Sequence, residues 1–265
     1  MKEIAGIYGI SHWTIQERLA KAGVKKNIRR AVGNNDVFDG FSEASCYWAG
    51  FIAADGWIVG KTNKYVAIEL NAKDSEHLVK LSNLAQREAS LYRRSRLRSG
   101  KMIEYARLSL GSRKIADDLR VNFNIVPAKS RILSPPSKIP SNLIRHYIRG
   151  YIDGDGSIGW KKSDRKPRLS ICSGSEDIIR WISKHIKEGS RHSGNTNVSK
   201  VKDANTYRVE YCGTYVEDIL DWLYEESTPE TRLDRKYGIY MENKERLKQY
   251  YADSPSIARP PKPVR

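Results

Sequence analysis

The sequence predicts a mixed α+β protein built from a duplicated unit, with a short helical hairpin ahead of it. Three observations carry that expectation. The stretch Trp48-Ala49-Gly50-Phe51-Ile52-Ala53-Ala54-Asp55-Gly56 recurs 100 residues later as Ile148-Arg149-Gly150-Tyr151-Ile152-Asp153-Gly154-Asp155-Gly156. Each copy precedes the same order of elements: two short strands, a helix, two more strands and a helix. The strands alternate, as where Val66, Ile68 and Leu70 point one way and Tyr65, Ala67, Glu69 and Asn71 the other, which suits antiparallel sheets with one covered face.

Length and composition bound the function. A chain of 265 residues holds about two domains and needs no disulfide or metal staple to fold. Its 39% hydrophobic residues, with 15 Tyr and 6 Trp, exclude a wholly disordered chain. Lys and Arg number 47 against 31 Asp and Glu, a net charge of +16 that favours a polyanionic partner. No apolar run approaches the roughly 18 residues of a membrane span. The start, Met1-Lys2-Glu3-Ile4-Ala5, lacks a signal-peptide core. Cys46, Cys172 and Cys212 are scattered without a C-x-x-C pair, which excludes a zinc ribbon and a disulfide framework. An intracellular, cytoplasmic protein in a reducing compartment is expected.

In residues 1–30, Ile4 and Ile7 share a face of a short helix, Gly9 makes a turn, and Ser11 caps a second helix with Ile15 and Leu19 as its apolar stripe. The pair resembles a helix-turn-helix, which implies that His12, Trp13, Gln16 and Arg18 lie near bases or phosphates. Residues 31–41, rich in Gly, Asn and Asp, read as a linker. The duplicated units span 42–133 and 143–250, joined by the Pro-rich segment 134–142 and followed by a Pro-rich tail, 251–265.

The repeated helices are expected to pack together. Gly50 and Ala54 are four residues apart, as are Gly150 and Gly154, so each helix has one face without side-chain bulk. Glycine inside a helix costs about 1 kcal/mol relative to Ala, and close helix packing offsets that cost. Asp55 and Asp155 then emerge side by side at the helix C-termini. There they repel each other and meet the negative ends of both helix dipoles. A hard cation such as Mg²⁺, or Mn²⁺ in its place, resolves that conflict by binding one or two carboxylates together with waters and phosphate oxygens. Metals so held stabilise the oxygens of a phosphodiester displacement.

These residues resemble the LAGLIDADG homing endonucleases in their single-chain, two-motif form, over about residues 42–250. The resemblance implies two pseudo-symmetric αββαββα units forming a DNA-binding saddle, and metal-dependent double-strand cleavage of a long DNA target by a monomer encoded in a mobile element. It implies Asp55 and Asp155 as the metal-binding acids. Lys129 and Lys236 are candidates for the basic residue near the scissile phosphate, and Asn71 for a supporting polar strand residue. The first motif departs from the pattern at Ala53, where an Asp is usual, which bears on helix-end packing.

The exposed sheet faces are the candidate DNA surface. Tyr92, Arg94, Arg96 and Arg98 share one face of a strand. After the turn at Ser99-Gly100-Lys101, the partner strand adds Tyr105, Arg107 and Ser109. Lys161, Arg168, Ser170 and Arg208 are the equivalents in the second half. The alternatives on the same scaffold are a DNA-binding regulator that has lost cleavage and an RNA-splicing maturase. Against the regulator stands the repulsive acidic pair, which a pure binder does not need.

Overall fold

A computed structural model of the protein describes residues 9, 11–22, 33–59, 65–163, 166–190 and 197–253. It has two compact units, residues 1–32 and 33–265. In the first, helix α1 (His12–Lys21) begins where Ser11 Oγ accepts the Thr14 N–H at 3.1 Å, the expected cap, and Gly9 turns with φ +58°. Ile15 is buried, but Leu19 is exposed, so the apolar stripe is narrower than expected. Arg18 is exposed. The side chains of His12, Trp13 and Gln16 and the preceding helix expected around Ile4 and Ile7 lie outside the described residues.

The second unit contains the duplication. Helix α2 (Glu43–Asp55) leads into β1 (Gly56–Val59) and β2 (Tyr65–Asn71), then α3 (Ser75–Leu84). Strands β3 (Tyr92–Arg98) and β4 (Lys101–Leu110) and helix α4 (Arg113–Phe123) complete the first half. The second half repeats the order: α5 (Ile144–Asp155), β5 (Gly156–Lys161), β6 (Lys166–Ser173), α6 (Glu176–Ser190), β7 (Ser199–Lys200), β8 (Tyr207–Cys212) and α7 (Val216–Tyr224). A long helix, α8 (Asp234–Ala252), follows. Both sheets are four-stranded and antiparallel, in the orders β1-β2-β4-β3 and β5-β6-β8-β7. This is the mixed, two-unit α+β architecture that the repeat predicts.

Residues 33–41 are not a free linker. Asn34 N–H donates to the Ala85 carbonyl at 2.8 Å, and Val37 and Phe38 are buried, Phe38 edge-on to Phe123. The Gly/Asn/Asp content sets the turns of this segment, while two apolar residues anchor it.

Helices α2 and α5 form the spine. Ser42 caps α2 through a capping box with Ser45, and the residues from Ser45 to Ala53 are all buried. The glycines set the helix separation. A Cβ on Gly50 would overlap the Tyr147 carbonyl oxygen and lie 2.8 Å from its carbon. A Cβ on Gly150 would meet the Tyr47 carbonyl in the same way. Each helix therefore rests backbone to backbone on the other. The covered sheet faces, Val66, Ile68, Leu70 and Leu108 in one and Leu169, Ile171 and Val209 in the other, belong to the same core.

Ala53 breaks the symmetry of this spine. Its counterpart Asp153 is buried and accepts from the Tyr47 hydroxyl at 2.8 Å, the Leu233 N–H at 2.8 Å and the Tyr224 hydroxyl. The Tyr47 hydroxyl also lies 2.9 Å from His77 Nε2. Tyr147 is the repeat counterpart of Tyr47, but the position matching Asp153 is Ala53. Among the described residues, the buried Tyr147 hydroxyl has no hydrogen-bond partner. Tyr47→Phe should therefore cost about 1–3 kcal/mol, because it strips a buried carboxyl of a donor. Tyr147→Phe should be neutral or stabilising, since it removes an unpaired polar atom. Urea unfolding of the two variants checks this, and equal losses would contradict it.

Candidate functional site

The acids stand where the paired helices end. In each copy the chain leaves the helix by an Asp-Gly step, and the Gly56 and Gly156 N–H groups donate back to the Ile52 and Ile152 carbonyls. A Cβ at Gly56 would lie 2.8 Å from the Ile52 side chain, and one at Gly156 would lie 2.7 Å from that of Ile152. Only glycine lets β1 and β5 turn this tightly off their helices. Gly154 brings the two ends together: its Cβ would strike the Ala54 Cβ and fall 3.3 Å from Asp55 Oδ2. Asp55 is half-buried, and Asp155 is the more exposed of the two, at the edge of a groove.

The electrostatics follow from that placement. Burial, and then the charge of Asp155, push the Asp55 carboxyl up to about 6, while Lys236 and Lys129 act against the rise. Burial raises Asp155 as well, again opposed by the two lysines. Lys129 and Lys236 are themselves buried, and loss of hydration pulls each down to about 8. Thus four predicted site residues, Asp55, Asp155, Lys129 and Lys236, form one charge cluster.

The lysines arrive on segments that cross between the halves. The 3-10 turn Lys129–Arg131 packs against the second half, where Gly174 lacks the Cβ that would strike the Ser130 carbonyl, and Ser175 Oγ donates to the Leu133 carbonyl at 2.8 Å. The start of α8 returns to the first half, where Arg235 grips Asp74 (Nη2–Oδ2 2.9 Å) and Lys80 bonds Asp234 at 2.7 Å. Lys236 differs from its expected placement at a phosphate. Its ammonium lies 2.6–3.1 Å from the carbonyl oxygens of Ile152, Asp153, Gly154 and Gly156, which share its three N–H donors. It caps the negative end of α5 and supports Asp155 from beneath. Asn71 also has a local bond: its Oδ1 accepts the Lys73 N–H at 3.1 Å and caps the 3-10 turn Ala72–Asp74.

The predicted sheet faces are present. Register places Tyr92 opposite Arg107 and Arg94 opposite Tyr105, and the hairpin turns through Ser99 and Gly100, both at positive φ. Arg96 lies over the Tyr105 ring at 5.7 Å, and Arg98 pairs with Lys101 at the tip. On the second sheet, Asp155, Ser157, Trp160, Lys161, Arg168, Ser170 and Arg208 line a groove of about 400 Å³. That groove joins one acid directly to the basic face.

Two features escaped the sequence reading. Trp57, the second residue after Asp55, lies beneath Arg107, whose guanidinium carbon is 5.2 Å from the ring centroid. Glu69 sits among the arginines of the first sheet. Both lay on the outward side of recognisable strands, but cross-strand pairing decides what an outward side chain touches.

No family model matches the chain, and no curated protein does. Solved structures match it as folds. The I-LtrWI LAGLIDADG homing endonuclease bound to target DNA has a TM-score of 0.51 at 12% identity, over 82% of this chain and 92% of that one. The fold is LAGLIDADG-like. Full-length DUF199/WhiA from Thermatoga maritima matches at TM-score 0.49 and 14% identity; the match covers 82% of this chain but spans only 64% of that protein's length. The homing endonuclease I-WcaI bound to its DNA recognition sequence gives 0.48 at 13% identity, over 74% and 88% of the two chains. No helix among the described residues is long and apolar enough to cross a membrane.

Proposed function

We propose that this LAGLIDADG-like chain is a site-specific endonuclease that cuts both strands of duplex DNA with a divalent cation, acting as a monomer that carries both motif copies. The observation that carries the reading is the convergence of Asp55 and Asp155 at the ends of two glycine-paired helices, beside basic sheet faces. Two carboxylates raised by lost hydration, one of them also by the charge of the other, are a costly arrangement, and a divalent cation relieves it.

The donor set suits Mg²⁺ or Mn²⁺. Among the described residues no group of three or more His, Cys, Asp or Glu side chains is placed to hold a metal ion, so the acids offer themselves as a pair. Mg²⁺ is commonly held by one or two carboxylates, its other positions filled by water and phosphate. When bound, it supplies Lewis-acid stabilisation of the phosphate oxygens and a more acidic water. The chain's own residues do the rest. Asp55 and Asp155 hold the cation, Lys236 fixes the end of α5, and Lys129 adds a buried cation beside the acids. The arginine-rich faces bind and orient the duplex.

One observation favours the alternative of a DNA binder without cleavage: the Lys236 ammonium is occupied by four carbonyls rather than free for a phosphate. Cleavage selection from a randomised plasmid library in Mg²⁺, with sequencing of the ends, separates the two. Ends sharing one long sequence support the endonuclease; a bound but uncut library supports the binder.

Replacing Arg94, Arg96 and Arg98 together should weaken duplex binding and flatten its salt dependence, by about 0.9 in the log–log slope for each phosphate no longer neutralised. Filter binding at several salt concentrations measures affinity and slope, and a variant unchanged in both removes this hairpin from the interface.

A further inference from the structure

Glu69 is an acid at the centre of the most basic surface. Its side chain is only 9% exposed, and three guanidiniums converge on it. Arg94 reaches Oε1 at 2.5 Å, Arg107 binds Oε2 through two nitrogens at 3.0 and 3.2 Å, and Arg96 lies 3.5 Å from Oε1. Aromatic rings hold the same groups: Arg107 lies near the rings of Trp57 and Tyr92, and Arg96 over Tyr105. Strand register explains the convergence, since Glu69 faces Arg107 directly and Arg107 faces Tyr92 on the next strand.

A face that only neutralised phosphates would gain nothing from this carboxylate, which repels them. It does two other things. It fixes long side chains that would otherwise give up their rotamer freedom on binding. It also leaves most donors unused, because a carboxylate offers about four acceptor sites while three guanidiniums bring about fifteen N–H groups. The Arg94 Nε is a buried donor with no partner among the described residues.

Among the described residues, the second half shows no such acid at the matching position. Register puts Cys172 opposite Arg208, where Glu69 stands opposite Arg107, and the Arg208 Nε donates to the Cys172 thiol at 3.4 Å. Its acid–base pair, Arg168 with Glu210, is more exposed and involves one arginine.

We propose that Glu69, with Arg94, Arg96 and Arg107, is a pre-ordered reader of a G·C base pair in the major groove, and that the half-site beneath the first sheet is the more G·C-selective. The inference rests on the DNA reading above. The guanidinium donors that Glu69 leaves unengaged match guanine O6 and N7, so the cluster reads the guanine of the pair while Glu69 holds the arginines in place. Glu69 is a specificity-determining residue in this account, set apart from the cleavage chemistry.

The test is selection of bound duplexes from a randomised library by the full-length wild type, Glu69→Gln and Arg107→Lys, with each protein also titrated against random-sequence duplex over a salt series. The wild type should enrich G·C about tenfold or more at one or two positions in one half-site only. Glu69→Gln should lose that enrichment, bind random duplex more tightly and steepen the salt slope by about 0.9 for each arginine released to a phosphate. Arg107→Lys keeps the charge but loses the fork; it should lose the enrichment with the slope unchanged, and it decides the matter if the Gln variant fails to fold. The same G·C enrichment in both variants, or a loss spread evenly over both half-sites, overturns the reader. A wild type that binds no duplex refutes the DNA reading itself.

Discussion

Asp55→Asn and Asp155→Asn are each expected to abolish double-strand cleavage while DNA binding holds. The amide is nearly isosteric but neutral, so it fills the same space and loses the charge a hard cation requires. Binding draws on the sheet faces, and affinity measured in Ca²⁺ should hold or rise slightly as a negative charge leaves the site. Stability should shift in a defined direction. The folded state holds a proton on Asp55 up to about pH 6, against an ordinary aspartate value of 3.8. Its stabilising contribution is therefore full below about pH 4 and is lost as the pH rises through 6. Without metal at pH 7.5, Asp55→Asn should be at least as stable as the wild type, with a gain of at most about 3 kcal/mol before solvent screening reduces it. Linearisation, binding and urea unfolding on one preparation check all three. Full cleavage by either variant removes the paired-acid site, and loss of folding in both makes the aspartates helix terminators only.

The second large effect is structural. Gly50→Ala and Gly150→Ala should each destabilise the protein by about 2–4 kcal/mol, more than an ordinary overpacked core position. The added Cβ meets a backbone carbonyl of the opposite helix, which cannot rotate away as a side chain would. Moving the helices apart relieves the overlap but separates the two acids, so cleavage should fall further than binding. Gly100→Ala, at the hairpin tip with open space around it, is the control. It carries the cost of a positive φ but no steric overlap, and it should leave cleavage in place. Equal losses at Gly50, Gly150 and Gly100 would mean that helix packing does not set the acid spacing.

Much of this was legible in the chain because duplication turns weak signals into strong ones. One Asp-Gly step is a turn; two at matched positions on Gly-spaced helices imply a pair. The alternation in Leu91 to Arg98 placed Tyr92, Arg94, Arg96 and Arg98 on one face, because strand periodicity needs no knowledge of partners. What needed partners stayed hidden. Glu69 could be placed outward, but its arginines come from β3 and β4, and only the register brings them to it. Lys236 could be placed near the acids, yet its burial and capping role depend on a segment returning across the halves. The departure at Ala53 pointed to helix-end packing; its consequence for Tyr147 required knowing that Tyr47 reaches Asp153. Residues 33–41 looked like a linker because composition reports turns and not the two apolar anchors. Leu19 follows the helical period but is exposed, since period alone does not say how wide the covered stripe is.

The most direct test of the paired-acid site is a Mn²⁺ titration followed by electron paramagnetic resonance. It compares wild type with the Asp55→Asn/Asp155→Asn double variant, each saturated with a random-sequence duplex at pH 7.5 and again at pH 5. The paired acids predict protein-dependent Mn²⁺ binding by the wild type at pH 7.5, weakened at pH 5 as protons compete for Asp55, and absent from the double variant at either pH. Equal Mn²⁺ binding by wild type and double variant, with both shown to hold the duplex, would contradict it.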